Sequence, residues 1–327
     1  MDGFRIPIGE WVETGVDWLR DNLGALFDFI TVTVRWLVEG LTDVLVATPI
    51  PVLIAIFALI GWLLRSWRMA AGTALAFLLI VAMDLWVPTL QTLSLVIIAT
   101  LVALLIAIPL GIWSARNDTV RAILKPVLDF MQTMPGFVYL IPAITFFSIG
   151  VVPGVVATVI FALPPGVRLT ELGIRGVDSE TVEAGQAFGA TPRQILRGIQ
   201  LPLAMPTIMA GVNQVIMLAL SMAVLAGIVG ADGLGKIVVQ SVSSARLAIG
   251  VEAGLAVVVI AVYLDRVTAA LGNPADYRSS LLGVMARRRA AQKAAILDAS
   301  GGDDDTDIQE QARVEAASSR RGPTLLG

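Results

Sequence analysis

The sequence predicts an all-α integral membrane protein, on three observations. Hydrophobic residues make up 56% of the chain and the mean hydropathy is +0.81, well above a soluble globular domain, so several segments belong in lipid. Long apolar runs alternate with short stretches that carry arginine and lysine; in lipid a chain must satisfy its own backbone polar groups, and runs of this length do so as helices. The third observation is missing chemistry, for the chain has no histidine and no cysteine. That removes the commonest general base, the commonest transition-metal ligand, thiol nucleophiles and disulfides, and turns the reading away from enzymes and metal sites. A net charge of −3 is too small to point to nucleic acid.

Residues 1–48 are acidic and only intermittently apolar, with Trp11, Trp18, Phe29 and Trp36 set among Asp17, Asp21, Asp28, Arg35 and Glu39. No uncharged run there approaches the roughly 20 residues a crossing needs. An amphipathic helix is expected, lying on the membrane surface or packed on the protein's own rim. The opening MDGFRIPIGEW lacks a basic region leading into an apolar core, so no signal peptide is expected to be removed.

A membrane domain is expected over 49–272, with apolar spans at 51–64, 69–87, 90–113, 137–150, 151–167, 203–229 and 251–271, about seven in all, the first and fourth short for full crossings. Pro135, Gly136 and Pro142 interrupt the fourth span and Pro164 and Pro165 the fifth, so neither is expected to be a straight continuous helix. Asp84 and Glu252 fall near outer ends, while Asp265 and Arg266 sit near an inner end where they can pair or snorkel. The span centres hold no ionisable residue, which argues against a proton-driven carrier or a channel with charged rings. From 273 the chain turns to alanine and arginine, then GGDDDTD and a Ser/Gly/Pro end, and a largely disordered cytoplasmic tail is expected over 273–327.

Basic residues set the expected orientation. Arg65 and Arg68, then Arg116, Arg121 and Lys125, then Arg168, Arg175, Arg193 and Arg197, then Arg287, Arg288, Arg289 and Lys293 fill alternate connections. The others are a turn at Pro88, a turn at Val152, Pro153 and Gly154, and 230–250, which holds only Lys236 and Arg246. By the positive-inside rule the first set is cytoplasmic, which puts the N-terminus outside and the C-terminus in the cytoplasm.

One polar interruption, 178–202, has internal structure. Asp178 or Ser179 can cap a helix with Glu180 and Glu183 in its opening turn, and Gly189 ends it. Thr191 and Pro192 then offer a cap and a first-turn proline for a second helix running to about Gln200, which Pro202 is expected to stop before the next apolar run. A glycine permits positive φ and close backbone approach at such a turn.

Glu183, Ala184, Gly189, Ile199, Leu201 and Pro202 fall at the spacing of the EAA motif, E-A-A-x3-G-x9-I-x-L-P; Gly185 departs, standing where the motif has its second alanine. On these residues the chain resembles ABC importer permeases. The stretches LDFMQTMPGFVYLIP (128–142), VPGVVATVIFALPPGVRLT (152–170) and LPLAMPTIMAGVNQVIMLALSM (201–222) resemble the glycine betaine/proline betaine, or osmoprotectant, branch, a likeness that covers about residues 50–272. The resemblance implies the transmembrane domain of a type I importer, working as a pair of permease chains, simplest as a homodimer, with two ATP-binding cassette ATPases and an external substrate-binding protein. It also implies that Glu183, Ala184, Gly185, Phe188, Gly189, Ala190, Thr191, Pro192, Arg193, Ile199, Leu201 and Pro202 couple the chain to an ATPase. No cofactor is then expected in this chain, ATP and Mg being bound by the ATPase partner. Choline, carnitine or an amino acid is the alternative solute, and a stand-alone osmotic channel the alternative outside the class.

Two further readings are weighed against plainer ones. Gly230, Gly235 and Lys236 satisfy a phosphate-loop spacing, but Ile237 stands where a Ser or Thr should hold Mg2+. That segment is expected to be an outer re-entrant turn or a plain loop instead. Met131, Met134, Phe137, Tyr139, Phe146, Met217, Ser221 and Met222 are candidates for the wall of a translocation path, since quaternary ammonium groups favour aromatic faces and tolerate soft apolar walls. Ordinary helix packing is the competing reading for each.

Overall fold

A computed structural model describes residues 7–272, which are helical almost throughout. The expected tail over 273–327, with Arg287, Arg288, Arg289 and Lys293, lies outside the described residues.

Helix α1, Ile8–Ala47, runs for 40 residues with a kink at Leu23 (φ −115°, ψ 18°). Trp11 and Trp18 in its first part are exposed, whereas Val34 and Val38 are buried and Phe27 stacks on Phe146, with ring centroids 4.6 Å apart. Its second half is thus packed on the rim of the bundle. Helix α2, Ile50–Leu64, departs at 108° and turns into α3, Trp67–Ala82, whose cap Ser66 accepts a hydrogen bond from the Met69 N–H. At about 1.5 Å per residue these two helices reach roughly 22–24 Å, short of a core of about 30 Å.

The long helices follow. Helix α4 is Trp86–Arg116, α5 Asp118–Thr133, α6 Leu140–Phe147 after a 3-10 turn at Gly136–Tyr139, and α7 Val151–Arg175. The polar interruption folds as α8, Ser179–Ala187, and α9, Pro192–Ile195, and passes through a π-helical turn, Leu196–Gln200, into α10, Leu201–Leu225. A 3-10 turn, Ala226–Val229, then leads to α11, Leu234–Ser243, and α12, Leu247–Gly272.

Among the described residues, four helical stretches are long and apolar enough to cross a membrane, namely Trp86–Arg116, Val151–Arg175, Pro192–Val229 and Leu247–Leu271, or up to 6 if each bent pair counts as one span. Three of the seven runs read in the sequence are not separate spans, 137–150 because it forms a bent pair with α5. The 51–64 run forms a bent pair with α1, and the 69–87 run ends early, at a turn where Asp84 has φ 58°.

Proline accounts for further differences. The fourth span is broken as expected, with α5 and the segment after it bent by 105°. The fifth is not: α7 runs unbroken through Pro164 and Pro165, both of them buried, as prolines inside a membrane helix can be when neighbouring helices support the backbone. Nor does Pro202 stop the second helix of the interruption, because Pro192–Val229 is one helical stretch. The π turn before it, in which the Leu201 N–H reaches back to Leu196, widens the helix and makes room for a residue that cannot donate. Val152, Pro153 and Gly154 lie inside α7, the turn falling earlier, at Ser148 (φ 61°) and Gly150 (φ 137°). Pro88 is likewise in the first turn of α4.

The centre of the bundle is α7, packed between α4 and α10. Small residues allow this approach: a Cβ on Gly166 of α7 would meet Ala107 of α4 at 2.8 Å and Val215 of α10 at 3.0 Å. Without a hydrophobic force between helices in lipid, such close packing supplies much of the association. Helices α11 and α12 cover α10, and the α2–α3 hairpin packs outside α12, where the Tyr263 hydroxyl donates to the Phe57 carbonyl (3.2 Å) and both rings meet Phe77.

Candidate functional site: the α8–α9 knob

Helix α8 begins where the sequence places its cap, with the Asp178 carboxylate accepting from the Glu180 N–H (3.1 Å). It ends in a Schellman motif. The Gly189 N–H donates to the Gln186 carbonyl (2.8 Å) and the Ala190 N–H to the Gly185 carbonyl (3.1 Å), with Gly189 at φ 76°. Thr191 and Gln194 form a capping box on α9: the Thr191 N–H donates to Oε1 of Gln194 (2.7 Å) and the Gln194 N–H to Oγ1 of Thr191 (3.4 Å). Asp178, Gly189, Thr191 and Pro192 have the backbone roles their positions imply, and only Pro202 among the turn residues named from the sequence here does not.

The knob has a rooted side and a free side. Ile195 and Leu196 are buried, and Leu196 packs with Ile174, Ala204 and Ile208, with Leu201 and Ile112 against them. These contacts join the interruption to the ends of α4, α7 and α10. Helix α8 buries none of its residues, and Phe188 at its end is 93% exposed. Glu183, Ala184, Thr191, Pro192 and Arg193 are exposed beside it, while Gly185, Ala190, Ile199 and Leu201 are half-buried. A bare aromatic ring at the tip of a rigid turn is what a partner's pocket would receive.

An ionic network missed from the sequence lies just above the knob. Glu171, on the last turns of α7, accepts from the Ser114 hydroxyl (2.7 Å) and pairs with Arg121 (2.8 Å) and Arg175 (3.4 Å); Arg175 also pairs with Asp118 (2.7 Å) and donates to the Ser114 carbonyl (2.9 Å). One further pair, Arg168 with Asp129, fastens α5 to α7 higher up. Arg168 and Arg175 are therefore helix residues rather than loop residues. The signal was present as Arg168, Glu171 and Arg175, spaced to share one helix face, but partners on α4 and α5 could not be read from it. A second missed cluster ties α10 to α12: Asn213 donates to Asp265 (2.9 Å) and accepts from Thr268 (2.9 Å).

The path candidates separate by exposure. Phe137 and Met217 are exposed, as is Ser221, whose hydroxyl donates to the Met217 carbonyl (3.0 Å); Met134 and Met131 are half-buried. Tyr139, Phe146 and Met222 are packing residues of the chain itself. The Tyr139 hydroxyl donates to the Met131 carbonyl (2.6 Å), Phe146 stacks on Phe27, and Met222 is fully buried beside Gly136 and Phe161. At the opposite end of the bundle, the 230–237 segment joins a 3-10 turn to α11, with no strand leading into it. Its Leu234 N–H donates to Thr92 of α4 (2.8 Å), so this connection is a short helix seated on the spans rather than a plain loop.

Residues 107–273 match the family described as binding-protein-dependent transport system inner membrane component. The chain is 48% identical over 264 residues to the glycine betaine transport system permease protein OpuAB of Bacillus subtilis (strain 168), covering 81% of this chain and 94% of that protein. It is 44% identical over 275 residues to the glycine betaine/proline betaine transport system permease protein ProW of Escherichia coli (strain K12), covering 84% of this chain and 78% of that one. Among solved structures it is similar to an inward-facing crystal form of the MetNI methionine ABC transporter, with a TM-score of 0.51 and 23% identity, over 58% of this chain and 93% of that chain. That likeness concerns the fold, which is the type I ABC importer transmembrane domain. With the knob, the helical order and the matched sequence in agreement, this chain belongs to the family of binding-protein-dependent transport system inner membrane components and is a multi-pass membrane permease.

Proposed function

We propose that this chain is the membrane-spanning subunit of an ATP-driven importer of glycine betaine and proline betaine, and that its α8–α9 knob docks into a groove on an ATP-binding cassette ATPase. The observation that carries the coupling role is Phe188, exposed at the tip of a turn whose N–H groups from Phe188 to Thr191 are all hydrogen-bonded. The solute assignment is supported by the names of relatives that match most of the chain. One knob per chain serves one ATPase, so two chains, simplest as a homodimer, serve two. ATP and Mg belong to those partners, and an external binding protein delivers the solute. The knob end faces the cytoplasm and the N-terminal segment lies outside, in keeping with Arg116, Arg121 and Arg175 gathered at that end of the bundle. The exposed residues Phe137, Met217 and Ser221 belong to the path between the two chains.

The test is reconstitution in liposomes of the permease, an ATPase subunit and a binding protein, with omission of each in turn. Uptake of labelled glycine betaine against a gradient should need all three and ATP. Uptake without the ATPase would favour a stand-alone channel instead, and uptake of choline or carnitine in place of glycine betaine would move the solute assignment.

A further inference from the structure

Helix α5 joins two parts of the molecule that an ATP-driven cycle must connect. Its first turn is rooted just above the knob: Arg121 pairs with Glu171 (2.8 Å) and Asp118 with Arg175 (2.7 Å), and Glu171, whose side chain is 15% exposed, also accepts from Ser114 of α4. The same ends of α4 and α7 supply Ile112, Ala115 and Ile174 to the apolar cluster that seats Leu196 at the base of the knob. The last turn of α5 stands at the path candidates. Met131 and Met134 close the helix, the Tyr139 hydroxyl donates to the Met131 carbonyl (2.6 Å), and exposed Phe137 follows the 105° break. Beyond the break the chain is embedded, with Tyr139 and Leu140 buried in one cluster with Ala157 of α7 and Met222 of α10. Helix α5 is not. Within the described residues, Leu128 alone of α5 is buried, in a cluster with Ala107 of α4 and Val167 of α7.

From this arrangement we propose that α5 is the strut that carries displacement of the knob to the wall of the path, and that Arg168 and Asp129 are positioning residues that hold its far end in line with α7. This rests on the reading of the chain as an ATP-driven importer. A helix of 16 residues is a rod of about 24 Å, so a shift at Asp118 and Arg121 is delivered at Met131 and Met134. One buried side chain is little packing to disturb when such a rod moves along α7. The Arg168–Asp129 pair fastens the far end, two residues before Met131, through side chains that are 42% and 52% exposed. Ion pairs at that exposure add little to stability, and they break and re-form without leaving a buried charge unsatisfied. What the pair supplies is alignment of α5 with α7.

Contiguity does not by itself establish coupling, and the test reads coupling itself. In liposomes holding the permease, an ATPase subunit and a binding protein, glycine betaine uptake and ATP hydrolysis are measured on one sample. Asp129→Lys should lower the solute moved per ATP roughly fivefold or more, the low end of coupling between distant sites, while hydrolysis continues and the membrane level is unchanged. Adding Arg168→Asp to the same chain re-forms the pair with its charges exchanged and should restore most of the ratio. A pair that only held the fold together would change the membrane level and the thermal midpoint and leave the ratio alone. Asp129→Ala, which introduces no like charge, should lower the ratio in the same direction, and it decides the matter if the lysine variant does not reach the membrane. An unchanged ratio in Asp129→Ala would overturn the proposal, as would a double variant no better than Asp129→Lys. Wild-type uptake without the ATPase would instead strike the importer reading, and this proposal with it.

Discussion

A Cβ added to Gly185 would lie 2.6 Å from Cδ1 of Ile199 and 3.7 Å from Cγ1 of Ile195. The position where this chain departs from the EAA spacing is thus packed against another residue of the same signature, across the base of the knob. The near atom is the far end of a flexible side chain, so Gly185→Ala should fold and retain at least half of the transport rate. Gly185→Phe cannot be accommodated that way and should push α8 off the π turn, lowering transport at least tenfold, an order-of-magnitude estimate from overpacking. Uptake assays on both variants, with membrane levels measured by immunoblot, check this, and equal activity of the two would show that the contact is unimportant.

Gly189 is at φ 76°, where a β-branched residue is strained by roughly 1–2 kcal/mol or more. Gly189→Val should abolish transport with the protein still in the membrane, whereas Gly189→Asn should keep part of it, since asparagine tolerates that conformation. Loss of both variants from the membrane would mean that the turn serves folding rather than coupling.

Phe188 contributes nothing to the packing of its own chain. Phe188→Ala should therefore leave the thermal midpoint unchanged and weaken copurification of the ATPase, by about 2 kcal/mol or roughly thirtyfold if the ring is an interface anchor. An unchanged complex would remove the ring from the docking surface.

The isolated permease should bind glycine betaine no more tightly than about millimolar, since a desolvated carboxylate and quaternary ammonium both need partners. The path candidates supply no cage: Tyr139 is buried, Phe146 is stacked on Phe27, and only Phe137 of the three aromatic rings is exposed. Calorimetry on the purified chain reads this directly, and a micromolar constant would place a solute site among the spans.

Much of the knob was legible because its signals are local. Asp178, Gly189, Thr191 and Pro192 each act on backbone groups within a few residues, and the structure assigns them the roles their positions imply. What failed was long-range. Proline in α7 and at the start of α10 reads as a break, yet neighbouring helices and one π turn carry the chain through. Helix α5 reads as a charged connection, because Asp118, Arg121 and Asp129 find their partners on α7. Phe146 reads as a path residue until Phe27, far away in sequence, is found stacked upon it.

A single cysteine at Ala187, which is exposed on α8, tests the coupling role most directly in a chain that has no cysteine of its own. In membranes of defined orientation, a membrane-impermeant thiol reagent should label Ala187→Cys from the cytoplasmic side, and bound ATPase should protect it. Labelling from the outside, or undiminished labelling in the assembled complex, would contradict the placement of this knob at the ATPase.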